Sequence, residues 1–220
     1  VTAFEASSGK RLSDIEVGLH PSAMAFDPKR ARLYVANANS DTVSVIDTRT
    51  DRVIETIRVG PFNNAPLGSS PNALALSPDG SVLYVANAAN NAVAVVRTSG
   101  RTARVEGFIP TGWYPTAVAL DSSGKRLWVA SGYGFGSVAA PPSGRAGRSY
   151  RDRAGVVSVI DLPDSRQLAR MTRQVIENNR DQSAQPAPPK SGHPIPMHRG
   201  QASPIRYVFY IIKENRTYDQ

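Results

Sequence analysis

The residues with the clearest potential for chemistry lie at the C-terminal end of the sequence. Residues 205–212 form a nearly continuous apolar run rich in β-forming side chains. A strand that is apolar on both faces is typical of a parallel sheet buried between helices. Glu214 and Asn215 follow this run almost at once. Because ligands of open α/β sheets bind beyond the carboxyl ends of the strands, Glu214 and Asn215 are the candidate site residues.

Two weaker patterns could also bind a ligand. Gly132, Gly134 and Gly136 resemble phosphate-binding glycines in their spacing, but no helix with an anion-binding N-terminus follows them. His193 and His198 lie in a proline-rich stretch, where a pair of histidines is usually solvated rather than bound to a metal. We therefore expect neither pattern to form a site.

The formal charge of +8 raises the question of an anionic partner. The densest basic stretch lies among Gly and Ser residues and is expected to be an exposed loop. It contains Arg145, Arg148, Arg151 and Arg153. A solvated basic face is the simpler interpretation, and attraction to an anionic surface is the alternative. Only 7% of the residues are aromatic and no nucleic-acid motif is present, so nucleic-acid binding is not expected.

Composition excludes several other classes of site. The chain has no cysteine, which removes disulfides, thiolate metal sites, cysteine nucleophiles and c-type haem attachment. No apolar run approaches the roughly 20 residues that a membrane helix needs, so no transmembrane segment is expected. The sequence begins at Val1 without a leader, which we interpret as a removed signal peptide or a piece of a longer protein.

A repeat organises the first three quarters of the sequence. A Pro-Xaa-Ala-Xaa-Ala segment is followed by a Leu-Tyr/Trp-Val-Ala segment and then by an alternating valine segment. The three copies of these segments begin at Pro21, Pro71 and Pro115, at Leu33, Leu83 and Leu127, and at Val43, Val93 and Val157. The first segments are 50 and 44 residues apart. That period is typical of four-stranded propeller blades.

The predicted fold class is therefore all-β, a partial β-propeller. Residues 1–17 match the last half of a unit, which brings the total to about three and a half blades within residues 1–162. The third unit contains an insertion at 132–154, which we expect to be a surface loop. Closed propellers have roughly four to eight blades, so we expect the remaining blades, or another copy of the chain, to pair at the open blade edges.

The pattern changes after Asp161. Leu168, Met171, Val175 and Ile176 recur with helical spacing and predict a helix within residues 163–178 that leaves the propeller. Residues 179–204 contain six prolines and indicate an extended linker. Residues 205–220 would then form the first strand of a different, α/β domain that is truncated here.

The blade repeats resemble a known repeat family. The two Tyr-Val-Ala-Asn segments, which end at Asn37 and Asn87, are similar to the Tyr-Val-Thr-Asn (YVTN) repeat of bacterial and archaeal surface and periplasmic propellers. The resemblance covers residues 1–162. Both asparagines could be read as ligands, but an Asn that ends a strand more often caps a turn with its own side chain. We expect a structural role for both.

The C-terminal segment resembles a second family. Residues 214–219, Glu-Asn-Arg-Thr-Tyr-Asp, match the opening motif of the phosphoesterase family, which contains phospholipases C and acid phosphatases of the alkaline phosphatase superfamily. The resemblance implies that Glu214 and Asn215 ligate a catalytic divalent metal ion, which suits their oxygen donors. The family's nucleophile and remaining ligands have no counterpart in this chain. A glycosylation acceptor at Asn215 or a helix cap are the alternatives.

Together the two resemblances imply the propeller portion of a secreted or periplasmic metal-dependent phosphoesterase, inactive as this chain alone. The divalent metal ion would belong to the complete catalytic domain, and no cofactor is expected for the propeller. The alternative is an extracellular or cell-surface propeller that acts as a binding or self-assembly module without catalysis.

Overall fold

A computed structural model describes residues 1–62, 67–134, 154–179, 194 and 203–210 of the chain. It divides into two units, residues 1–179 and 180–220. The first unit contains four antiparallel sheets, followed by one helix. The predicted all-β class and partial propeller are confirmed. Among the described residues, no helix is both long and apolar enough to cross a membrane.

Each sheet corresponds to one blade or part of one. The N-terminal hairpin pairs β1 (Thr2–Phe4) with β2 (Arg11–Asp14). Blade 1 consists of β3 (Pro21–Asp27), β4 (Arg32–Asn37), β5 (Thr42–Asp47) and β6 (Arg52–Arg58). Blade 2 consists of β7 (Pro71–Leu76), β8 (Val82–Asn87), β9 (Ala92–Arg97) and β10 (Arg104–Pro110). Blade 3 has three strands, β11 (Pro115–Leu120), β12 (Arg126–Ser131) and β13 (Val156–Asp161).

The same corner opens every blade. The residue before the first strand's proline has a left-handed backbone in all three blades: His20 (φ 54°), Ser70 (φ 52°) and Tyr114 (φ 58°). The carbonyl of each accepts a hydrogen bond from the residue that follows the second strand, at 2.9–3.0 Å. This repeated hydrogen bond joins the start of the first strand in each blade to the residue that follows the second strand.

Alternation along the strands produces the core between blades. Successive side chains of a strand point to opposite faces, so Tyr34 of β4 packs towards blade 2 while Val35 packs towards the N-terminal hairpin. Leu83 and Val85 of blade 2 cover the Tyr34 side. The next interface repeats this arrangement, with Tyr84 of blade 2 packed against Leu127 and Val129 of blade 3. Each blade is therefore stabilised chiefly by its neighbours.

The predicted helix is confirmed as α1 (Ser165–Asn179). Asp164 and Gln167 form a reciprocal capping box, in which each side chain accepts a hydrogen bond from the other residue's backbone N–H, at 2.7 and 2.9 Å. The sequence suggested that this helix leaves the propeller. It packs instead on β10 of blade 2. Its Val175 is buried, and Thr172 Oγ1 accepts a hydrogen bond from Phe108 N at 2.9 Å. The apolar stripe of the helix drives this return, because it would otherwise face water.

The predicted strand at 205–212 is described only over residues 205–210. These residues have no secondary structure, and Tyr207, Val208, Phe209 and Tyr210 are exposed. The buried strand is therefore not formed over 205–210, because a strand needs a neighbour to bond with and no described residue pairs there. Most of the predicted linker (179–204) and insertion (132–154) lies outside the described residues, and assignment of 205–220 to a second domain stays a prediction.

Candidate functional site

The predicted metal ligands Glu214 and Asn215 lie outside the described residues. The same holds for His193, His198 and Gly136, and for the four arginines of the basic stretch. Within the part of the chain that the structure describes, no three His, Asp or Glu side chains gather as a metal site would require. The metal assignment stays a prediction from the motif.

Gly132 and Gly134 belong to a turn in blade 3. Trp113 N donates a hydrogen bond to Gly134 O at 2.7 Å, and Tyr133 N donates to Trp113 O at 3.0 Å. Gly134 has φ of +56°, which favours glycine over residues with a Cβ. The left-handed backbone thus accounts for Gly134 without a phosphate ligand.

The two repeat asparagines are structural, as expected, but not through turn capping. Both are fully buried. Asn37 Nδ2 donates hydrogen bonds to Thr42 Oγ1 at 3.1 Å and Ser44 Oγ at 2.9 Å, which join β4 to β5. Asn87 Nδ2 donates to Val59 O at 2.6 Å and so links blade 2 to the exit of blade 1.

Asp27 is a titratable group with a shifted pKa, and its contacts hold turns together. Burial acts to raise the pKa of Asp27, but the hydrogen bond from Arg30 and two backbone N–H bonds outweigh it and lower that pKa below its ordinary value. Arg30 pairs with Asp27 at 2.8 Å and also donates to Gly80 O of blade 2 at 2.9 Å. This ion pair therefore joins the turns of two neighbouring blades.

Repeat-equivalent positions reveal an open apolar face. These positions are Tyr34, Val43 and Val45 in blade 1, Tyr84, Val93 and Val95 in blade 2, and Trp128, Val157 and Val159 in blade 3. In blades 1 and 2 they are at most 7% exposed, because the next blade covers them. In blade 3 they are 45–59% exposed. We call Trp128, Val157 and Val159 the open face of blade 3.

A second open surface lies at the other end of the arc. Met24 and Phe26 of β3 are 61% and 53% exposed. Their equivalents in blade 2, Leu74 and Leu76, pack against the core between blades 1 and 2. The N-terminal hairpin has two strands and packs through Ile15 against blade 1 without covering β3. We call Met24 and Phe26 the open face of blade 1.

A cavity of about 590 Å³ lies between blades 1 and 2. Its walls come from β6, β10, the connection between blades 1 and 2, and the end of α1. Arg58, Arg104, Phe62, Phe108 and Asn179 are among the lining residues. We call this space the interblade cleft. Sequence reasoning missed it, because it arises where strands that lie about 45 residues apart are brought together, and no local motif marks that juxtaposition.

Comparison with known proteins identifies the family to which the blades of the first unit are similar. The family described as lactonase, 7-bladed beta-propeller, matches residues 6–133, more than half of the chain. Hydrazine synthase of Kuenenia stuttgartiensis is similar in structure, with a TM-score of 0.56 and 29% identity over 73% of this chain and 39% of that one. A functionally unknown protein from Desulfotomaculum acetoxidans DSM 771 gives a TM-score of 0.49 and 17% identity over 59% of this chain and 41% of that one.

The chain spans about two fifths of the length of these two solved structures. No curated protein matches the sequence.

Proposed function

The chain belongs to the lactonase, 7-bladed beta-propeller family, and from that premise we propose that its blades form part of a propeller joined to a metal-dependent phosphoesterase domain. The protein would act in the periplasm or outside the cell, where propellers with the resembling YVTN repeat are found. The observation that carries the proposal is the order of two independent signatures. Propeller blades come first, and the Glu-Asn-Arg-Thr-Tyr-Asp motif at 214–219 follows.

The donor set of the motif fits a hard divalent cation. Glu214 supplies a carboxylate and Asn215 an amide oxygen, the ligand types that such cations prefer. When bound, such a cation polarises a phosphoryl oxygen and activates a nucleophile. In this chain Glu214 and Asn215 would hold the ion, while the nucleophile and the other ligands would come from residues that this sequence does not contain. The 220-residue chain alone is therefore expected to be inactive.

The activity test compares two proteins on one substrate. The protein purified from its native source should hydrolyse bis(p-nitrophenyl) phosphate or p-nitrophenyl phosphate, lose this activity with EDTA and regain it with added divalent cations. The 220-residue chain should stay at background. Glu214→Gln in the complete protein should lower kcat by about a hundredfold or more, as loss of a metal ligand does. Glu16→Gln, on the exposed end of the hairpin connection, is the matched control and should leave kcat unchanged.

Two results would overturn the proposal. One is hydrolysis of a lactone, such as glucono-δ-lactone, by a native protein that leaves both phosphoesters intact. The other is a native protein that hydrolyses phosphoesters with the same rate after Glu214→Gln. Activity of the 220-residue chain itself would contradict the division of labour between propeller and catalytic domain.

The open faces of blades 1 and 3 favour a second candidate, a binding or self-assembly module. Exposed apolar sheet faces invite association, and their repeat equivalents are covered by a blade wherever one is present. In the first proposal, further blades would cover these open faces. In the second, a second copy of the chain or another protein would cover them. Sedimentation of the purified chain distinguishes them. Trp128→Lys should abolish association if the open face of blade 3 mediates it, whereas Trp113→Lys, at another half-exposed tryptophan, should not.

A further inference from the structure

We propose that the interblade cleft binds a small organic anion, an apolar body that carries a phosphoryl or carboxylate group. The cleft measures about 590 Å³, within the range of pockets that hold small molecules. This inference does not depend on the proposed phosphoesterase, because every residue it uses belongs to blades 1 and 2, to the connection between them or to α1.

The charge of the cleft comes from two arginines. Arg58 at the end of β6 and Arg104 at the start of β10 both line it. Among the described residues, no carboxylate forms an ion pair with Arg58. Arg104 lies 3.5 Å from Glu106, but Arg97 already holds that carboxylate through two hydrogen bonds of 2.5 and 2.9 Å. Both guanidinium groups therefore have donors to spare for a ligand.

Among the described residues that line the cleft, the one acidic side chain is already engaged. Asp41 is buried, and its carboxylate accepts hydrogen bonds from the backbone N–H groups of Gly68, Ser69 and Ser70 at 2.7–3.1 Å. Three donors occupy much of its acceptor capacity and stabilise the charged carboxylate. Asp41 thus holds the connection between the blades, and its single negative charge offsets one of the two arginine charges.

The end of α1 opposes an anion only weakly. A helix C-terminus carries roughly half a negative elementary charge, whereas the two guanidinium groups carry two full positive charges. Asn179 Nδ2 also donates hydrogen bonds to Val175 O at 2.8 Å and Asn90 O at 3.0 Å, so exposed carbonyls of that last turn are partly covered. With Asp41 counted as one negative charge against Arg58 and Arg104, the described lining residues still carry a net positive charge.

Apolar side chains form one part of the remaining wall, beside the polar residues Thr56, Ser69 and Asn90. Phe108 is 5% exposed, and Phe62, Ile57 and Val105 also line the cleft. Ala103 N donates a hydrogen bond to Glu55 Oε1 at 2.7 Å and ties the start of β10 to β6 near the cleft. An apolar body would pack on these side chains, while the planar guanidinium forks bind its phosphoryl or carboxylate oxygens in pairs.

Titration of the ¹⁵N-labelled 220-residue chain with phenyl phosphate tests the proposal. The amides of Gly68, Ser69 and Val105 should shift and saturate. Inorganic phosphate, which has no apolar body, and phenol, which has no charge, should each bind at least about tenfold more weakly, since each lacks one half of the recognition. Benzoate should shift the same amides, because its carboxylate also fits a guanidinium fork.

Substitutions separate a built site from general attraction to a basic protein. Arg58→Gln and Arg104→Gln should each weaken phenyl phosphate binding by about tenfold, the equivalent of one charge-assisted hydrogen bond. Both side chains are exposed, so the fold should survive, which the spread of the amide resonances checks. Arg52→Gln, at the opposite end of β6, removes the same charge outside the cleft and should change affinity less than twofold.

Three results would overturn the proposal: no saturable shift at the cleft amides, equal affinity for inorganic phosphate, or an equal loss with Arg52→Gln. The last two would mean counterion attraction only. None of these bears on Glu214, so failure here leaves the phosphoesterase proposal standing, and the reverse also holds.

Discussion

Truncation of one repeat-equivalent valine in each blade measures how far each blade face is covered. Val43, Val93 and Val157 begin the alternating run of the third strand in blades 1, 2 and 3. Val43 and Val93 are fully buried, and Val157 is 59% exposed. Each stands opposite an alanine of the preceding strand, so a Val→Ala change alters similar cross-strand surroundings in all three blades.

The expected cost follows from the buried fraction. Val→Ala removes two carbon groups, worth about 1.6 kcal/mol in transfer free energy when fully buried. The cavity left in a packed interface raises this to about 2–3 kcal/mol for Val43→Ala and Val93→Ala. Val157 has about two fifths of its surface covered, and its neighbours can relax into the open side. Val157→Ala should therefore lower the free energy of unfolding by only about 0.6 kcal/mol.

Urea denaturation at pH 7, followed by tryptophan fluorescence and far-UV circular dichroism, gives the three values. An equal loss in the free energy of unfolding for Val157→Ala and Val93→Ala, measured on the 220-residue chain, would refute this reasoning. It would mean that the open face of blade 3 is covered in that chain. The same substitution in the complete protein should cost about 2–3 kcal/mol if a further blade packs on that face.

Three further changes probe contacts that hold the blades together, each measured by urea denaturation. Gly107→Ala should destabilise by about 1–3 kcal/mol, because an added Cβ would come 2.8 Å from Leu168 Cγ of α1. Asn87→Ala should cost about 1–3 kcal/mol by leaving Val59 O without its buried donor, whereas Asn39→Ala, on an exposed turn, should stay within about 0.5 kcal/mol. The pKa of Asp27 is lowered in the folded state, so its stabilisation is complete above its ordinary pKa of 3.8 and is lost as the pH falls through the lower folded value. Arg30→Gln should flatten the fall in stability below about pH 5, where that carboxyl begins to take up a proton in the unfolded chain; an unchanged profile would show that Arg30 does not set it.

The repeat made most of the first unit predictable. Strand positions follow from alternation and turn residues, and both act locally, so the segments at Leu33, Leu83 and Leu127 all lie in second strands. The helical spacing of Leu168 and Val175 likewise predicted α1. Periodicity does not tell which surface an apolar stripe meets, and the return of α1 to β10 was therefore missed. Gly107 is the residue in the sequence that could have indicated this packing, because a residue without Cβ permits the close approach of α1 to β10.

The candidate surfaces show where such reasoning stops. Val43 and Val157 have equivalent places in the repeat, and only the arrangement of whole blades makes one buried and the other exposed. The interblade cleft likewise depends on how β6 and β10 meet. Asn37 and Asn87 illustrate the intermediate case, since their structural role was predictable from residue type but their hydrogen-bond partners were not.

The intact mass of the protein purified from its native source tests the central claim most directly. A mass several-fold above the 23.6 kDa of this chain is predicted, because the further blades and the catalytic domain would be part of the same polypeptide. A mass near 23.6 kDa would contradict that claim and leave the propeller blades as a binding or assembly module.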